Sequence, residues 1–156
     1  LRNFIQPKDI DLILKTYDVD VLWMAVECGY EDIQAKNASW GQKQVVQWGI
    51  PGRLMKTEPF GYQQLDRENT EEFFAEAMAE MKWLNKHHNV LKHNQEKESL
   101  IGSEATTQQK SDYVISNGFK IYGLRITGPT DELLRLTETL DIRYGKINDI
   151  DFWHWK

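Results

Sequence analysis

His87, His88 and His93 lie close together, and such a cluster invites a metal. Zinc ligands on one helical face stand at i and i+4, whereas 88 to 93 is i+5 and 87 to 93 is i+6, so structural or solvent-facing roles outweigh coordination. His88 falls on an apolar helical stripe and reads as a packed, hydrogen-bonded side chain. Cys28 is the single cysteine, which excludes an internal disulfide and a cysteine-based metal knuckle. A nucleophilic thiolate needs a histidine or a helix N-terminus to lower its pKa. Nothing local supplies either, so Cys28 reads as a small apolar core residue. Asn148, Asp149 and Asp151 bring an amide and two carboxylates together, without the fixed glycine and terminal glutamate of a calcium loop. Gly-rich phosphate loops, the Gly-x-Ser-x-Gly elbow and the His-Glu-x-x-His helix are all missing from the sequence. No catalytic residue, metal ligand or cofactor is therefore expected.

Aromatic side chains are the remaining chemistry. The 6 tryptophans stand at 23, 40, 48, 83, 153 and 155. Trp40-Gly41 and Trp48-Gly49 sit in a stretch broken by glycine and proline, and Phe152, Trp153 and Trp155 crowd the C-terminus. Core packing is the favoured role, because aromatic rings bury large apolar areas. A stacking platform for a sugar or a partner side chain is the live alternative. It makes Trp40, Trp48, Trp153 and Trp155 the candidate ligand- or partner-binding residues, with Trp23 and Trp83 expected in the core.

These residues must be positioned by a modest amount of chain. At 156 residues the sequence has the length of one domain, 1–156, by the usual allowance of roughly 100–200 residues each. With 19 basic against 24 acidic residues and no basic block, nothing is placed to neutralise a run of phosphates, and nucleic acid is not an expected partner. No apolar run approaches the ~18 residues of a membrane span. The chain begins at Leu1 with neither an initiator methionine nor a signal-peptide pattern, which reads as a piece of a longer protein.

Pro7 followed by Ile10, Ile13, Leu14 and Tyr17 predicts a short amphipathic helix over 7–16. The near-continuous apolar run 19–27 predicts an interior strand covered on both faces. Glycines and prolines break 29–69 into short pieces, with a strand at about 43–50 and otherwise loops or a short ribbon. Asn69 with Glu72 forms a capping-box pattern, and Phe74, Met78, Met81, Leu84, His88 and Leu91 then line one stripe of a long helix over 70–93. Ser103 heads a second helix, about 104–116, stopped at Asn117-Gly118. A strand at 119–127, a helix at 131–139 and a strand at 142–147 read as a tight β-α-β unit with a right-handed crossover. The expected fold class is α+β: a small sheet containing that unit, packed against several helices including one long one.

Three groups of residues resemble a known family. They are Tyr17-Asp18-Val19-Asp20-Val21-Leu22-Trp23-Met24-Ala25-Val26; the run from Gly118-Phe119 through Tyr122-Gly123 to Thr127-Gly128-Pro129-Thr130 with Glu132-Leu133-Leu134; and Ile142-Arg143-Tyr144 with Asp149-Ile150-Asp151-Phe152-Trp153. Together they resemble the C-terminal domain of sigma-factor regulators, the membrane-anchored anti-sigma factors of Gram-positive bacteria. The resemblance spans the whole chain and is weakest over about 30–100. It implies a regulatory, non-enzymatic domain on the extracytoplasmic face of the membrane, answering an envelope signal or protein partner. It also implies that the sigma factor is held by an N-terminal segment, and the membrane crossed by a helix, that this sequence does not contain.

Overall fold

The computed structural model describes residues 3–30, 48–56, 61–87, 107–141 and 145–146. Helix α1, Pro7–Thr16, begins where the sequence predicts: proline occupies the first turn, and the Gln6 amide donates to Asp9 Oδ2 at 2.7 Å. Ile10, Ile13 and Leu14 turn one face into the core, and the helix stops at Tyr17, whose backbone is extended. That reversal feeds β1, Asp20–Val26.

β1 is the middle strand of a three-stranded antiparallel sheet, between β2, Gly49–Pro51, and β5, Ile121–Thr127. Trp23 faces Pro51 on one side and Arg125 on the other. Its interior position matches the expectation, but its burial does so only in part. The register against β5 slips between Val21 and Trp23, leaving Leu22 as the extra residue of a bulge and 45% exposed. Only Met24, Ala25 and Val26 form the continuously buried run.

β3, Arg53–Lys56, and β4, Gly61–Gln64, make a separate antiparallel ribbon within the stretch whose sequence is hardest to read. Gly52 ties it to the main sheet: its amide donates to the Leu22 carbonyl at 2.9 Å, and its carbonyl accepts from Leu65 at 2.8 Å.

Helix α2, Thr70–Lys86, is the long helix, and the predicted continuation through 88–93 lies outside the described residues. Asn69 stands at its start and its carbonyl accepts from Phe73 at 2.8 Å. The Asn69 carboxamide also turns back to the preceding turn, where Oδ1 accepts from the Asp66 amide and Nδ2 donates to the Gln64 carbonyl. Phe73, Phe74 and Ala77 are buried, with Met78 and Met81 packed partly against them. Helix α3, Thr107–Asn117, ends at Gly118 with φ +76°, the left-handed stop that Asn-Gly predicts.

Helix α4, Thr130–Thr139, follows β5 and buries Leu136. In the predicted β-α-β unit, positions 142–144 and 147 lie outside the described residues, so β5 and α4 are the parts seen. The α+β class is confirmed, with β5 antiparallel to β1. Ile10, Met24, Val26, Phe73, Val114, Ile121 and Leu136 meet in the core.

Candidate functional site

Among the described residues, two stretches far apart in sequence meet at one corner: the turn after α1 and the turn into α4. Tyr17 is buried, and its phenol donates to the Thr139 hydroxyl at 2.7 Å. The Arg135 guanidinium lies 5.5 Å from the Tyr17 ring centroid and pairs with Glu132 one helical turn earlier. Glu132 Oε2 in turn accepts from the Asp18 amide at 3.4 Å. Asp18 itself is exposed, with Arg67 Nη2 at 3.7 Å from its carboxylate.

Backbone packing explains the glycine at this corner. A Cβ on Gly128 would stand 2.7 Å from the Asp18 carbonyl oxygen and 2.9 Å from a Val19 methyl, so only glycine lets the Gly-Pro turn lie against the start of β1. Pro129 then leads into α4, and Asp131 and Glu132 fill its first turn, where the helix dipole favours negative charge. The Glu132-Arg135 spacing of i, i+3 is visible in sequence as a surface pair. Its engagement with Asp18 and Tyr17 spans more than a hundred residues and leaves no local signal.

At the other end of β1, Cys28 is 3% exposed, as the apolar reading expects. Beside it Lys120 Nζ lies 3.1 Å from Glu27 Oε2, and the Glu27 amide donates to the Lys120 carbonyl at 2.8 Å. The hydrogen bond to Glu27 and then its negative charge hold the Lys120 ammonium above the usual lysine range.

Of the four candidate aromatic residues, Trp40, Trp153 and Trp155 lie outside the described residues, as do His88, His93 and the 148–151 stretch. Trp48 is half-buried and packs against the core, and its carbonyl accepts from Val26 at 3.0 Å. Trp23 is half-buried, its indole occupying the space where a Cβ at Gly49 would go. Trp83, expected in the core, is instead 54% exposed. It sits on the outer side of α2 and stacks on the His87 ring at a centroid distance of 4.3 Å, while His87 Nδ1 lies 2.8 Å from the Trp83 carbonyl. At about 100° per residue, Trp83 lies roughly 180° around α2 from Phe74, so the Trp83-His87 pair occupies the face opposite the stripe that carries Phe74 and Met81. Among the described residues, no group of three His, Cys, Asp or Glu is arranged to hold a metal ion. Nor is any helix there long and apolar enough to cross a membrane.

The corner joins two distant parts of one chain. It has ion pairs, a buried phenol and a backbone close approach, and in an α+β fold it fastens the start of β1 to the turn into α4. The segments it joins are those that carry the family resemblance. The family model described as "Sigma factor regulator C-terminal" matches residues 2–149, and the chain belongs to that family. It is 26% identical over 159 residues to the "Probable anti-sigma-M factor YhdL" of Bacillus subtilis (strain 168), an alignment covering 95% of this chain and 37% of that protein. The chain thus spans little more than a third of the relative's length. No solved structure matches it.

Proposed function

We propose that this chain is the extracytoplasmic sensory or interaction domain of a membrane-anchored anti-sigma factor, a negative regulator of sigma-factor-dependent transcription in a Gram-positive bacterium. The family match across residues 2–149 carries the reading. The name of the relative, an anti-sigma-M factor, supports the sign of the regulation. In this reading the domain is not an enzyme. It takes an envelope signal or a protein partner, and the sigma factor is held by a part of the protein outside this chain. The signal acts by binding one of two states of the domain more tightly than the other, since equal affinity for both shifts nothing.

The test is deletion of residues 1–156 from the full-length protein, scored by a reporter of a sigma-dependent promoter with and without envelope stress. The deletion is expected to change the induction ratio; an unchanged ratio refutes the reading.

A second reading, a carbohydrate- or peptidoglycan-binding module built on Trp40, Trp48, Trp153 and Trp155, has one foothold: Trp48 keeps part of its surface open beside the edge strand β2. Acrylamide quenching of single-tryptophan variants tests it, and four shielded rings would end it.

A further inference from the structure

Among the described residues, the segment ahead of α1 meets the main sheet at one backbone bridge. Ile5 and Ile121 form an isolated antiparallel bridge in which the Ile5 amide donates to the Ile121 carbonyl at 2.9 Å and the Ile121 amide donates to the Ile5 carbonyl at 2.8 Å. Both bonds of one residue pair are made, on the opposite side of β5 from its partner strand β1. Ile121 is thereby gripped twice, by Ile5 outside and by Val26 inside. The next residue, Gln6, enters the capping box with Asp9, and Pro7 fixes the first helical turn, so nothing between the bridge and α1 can swing freely.

Helix α1 does not depend on this bridge for its position, because Ile10, Ile13 and Leu14 already bury it in the core. What the bridge sets is the direction of the chain at Ile5, which it aligns antiparallel to β5. Asn3 and Phe4 are exposed, so among the described residues the Ile5-Ile121 pair is the point at which this end of the chain joins the sheet.

We infer that the Ile5-Ile121 bridge is the tie through which a change in the sheet reaches the segment preceding Leu1. This rests on the proposed function, with the membrane helix ahead of Leu1 as the family resemblance implies. A movement of β5 displaces Ile121 and, through two short backbone bonds, redirects the chain ahead of Ile5. Without the tie, β5 moves and the preceding segment does not follow.

The experiment uses the full-length protein and a sigma-dependent reporter, with vancomycin as envelope stress. Ile5→Pro removes the Ile5 donor. Its induction ratio is expected to fall to that of the strain lacking residues 1–156. Ile5→Cys/Ile121→Cys replaces the tie by a covalent one. The pair makes both backbone bonds, a geometry with about 5.5 Å between Cα atoms, within disulfide reach. Once oxidised it is expected to keep the wild-type ratio, and Cys28 is too buried to compete for it.

Ile13→Val weakens α1 without touching the bridge, and is expected to keep the wild-type ratio. A folded Ile5→Pro protein with the wild-type ratio overturns the tie while leaving the proposed function standing. So does equal loss of induction in Ile5→Pro and in an Ile13→Val protein of matched melting temperature. Wild-type induction in the deletion strain overturns both.

Discussion

Tyr17 and Thr139 lie 122 positions apart in sequence, yet the phenol of the first donates to the hydroxyl of the second at 2.7 Å, and that hydroxyl donates onward to the Arg135 carbonyl at 3.1 Å. The pair closes the corner between α1 and α4, so the end of the first helix is read directly by the end of the last described one. Side-chain hydrogen bonds arranged in series polarise one another, and their worth is measurable only as a coupling.

Tyr17→Phe and Thr139→Val are therefore each expected to cost about 1 kcal/mol in urea unfolding, the usual net value of one hydrogen bond. The double variant is expected to cost less than the sum of the two. Strict additivity would show that the bond contributes nothing.

Two glycines separate steric from conformational cost. Gly128→Ala drives a methyl into the Asp18 carbonyl and is expected to destabilise by about 1–3 kcal/mol, the range for overpacking a fitted site. Gly118→Ala meets no atom within 4 Å, so only its φ of +76° counts, and about 1–2 kcal/mol is expected. The two are further distinguished by Asp18: only the variant at 128 is expected to shift the Asp18 and Val19 amide resonances in an NMR spectrum.

Core and surface aromatics on one helix behave oppositely. Phe73 is fully buried with its ring edge-on to Phe74 at 5.7 Å, and Phe73→Ala is expected to cost about 3–5 kcal/mol. Trp83→Ala, on the outer side of the same helix, is expected to stay within about 0.5 kcal/mol of wild type. Chemical denaturation reads both.

The Lys120-Glu27 pair links stability to alkaline pH. The folded-state pKa of Lys120 is raised above its unfolded value of 10.5, so the stabilisation is complete below that value and is lost as pH rises through the folded one. The melting-temperature gap between wild type and Lys120→Met is expected to be constant from neutral pH to about pH 10 and to close above the normal lysine range.

The sequence was most legible where periodicity and punctuation agreed. Pro7 with Ile10, Ile13 and Leu14 marks α1, and Asn117-Gly118 marks the end of α3, because caps and stops act within one helical turn. The middle position of β1 followed from its apolar run. Leu22 broke the two-sided burial, because a bulge depends on the partner strand's register and not on the strand's own pattern. Trp83 departs from the core expectation for a related reason: large aromatics favour burial on average, but the face of a helix decides the individual case. The corner at Tyr17 could be suspected only through the family motifs, since no window of sequence contains both of its halves.

Asp20 pairs with Thr127 and Val26 with Ile121, so the central strand waits for a neighbour made about a hundred residues later. Closing so long a loop is slow and is repaid only when the sheet forms. A nascent chain released from the ribosome up to α3 would carry the apolar edge of β1 uncovered. The domain therefore becomes stable in one late step, after β5 has emerged, and truncation before residue 127 is expected to yield an aggregating chain and not a smaller folded one.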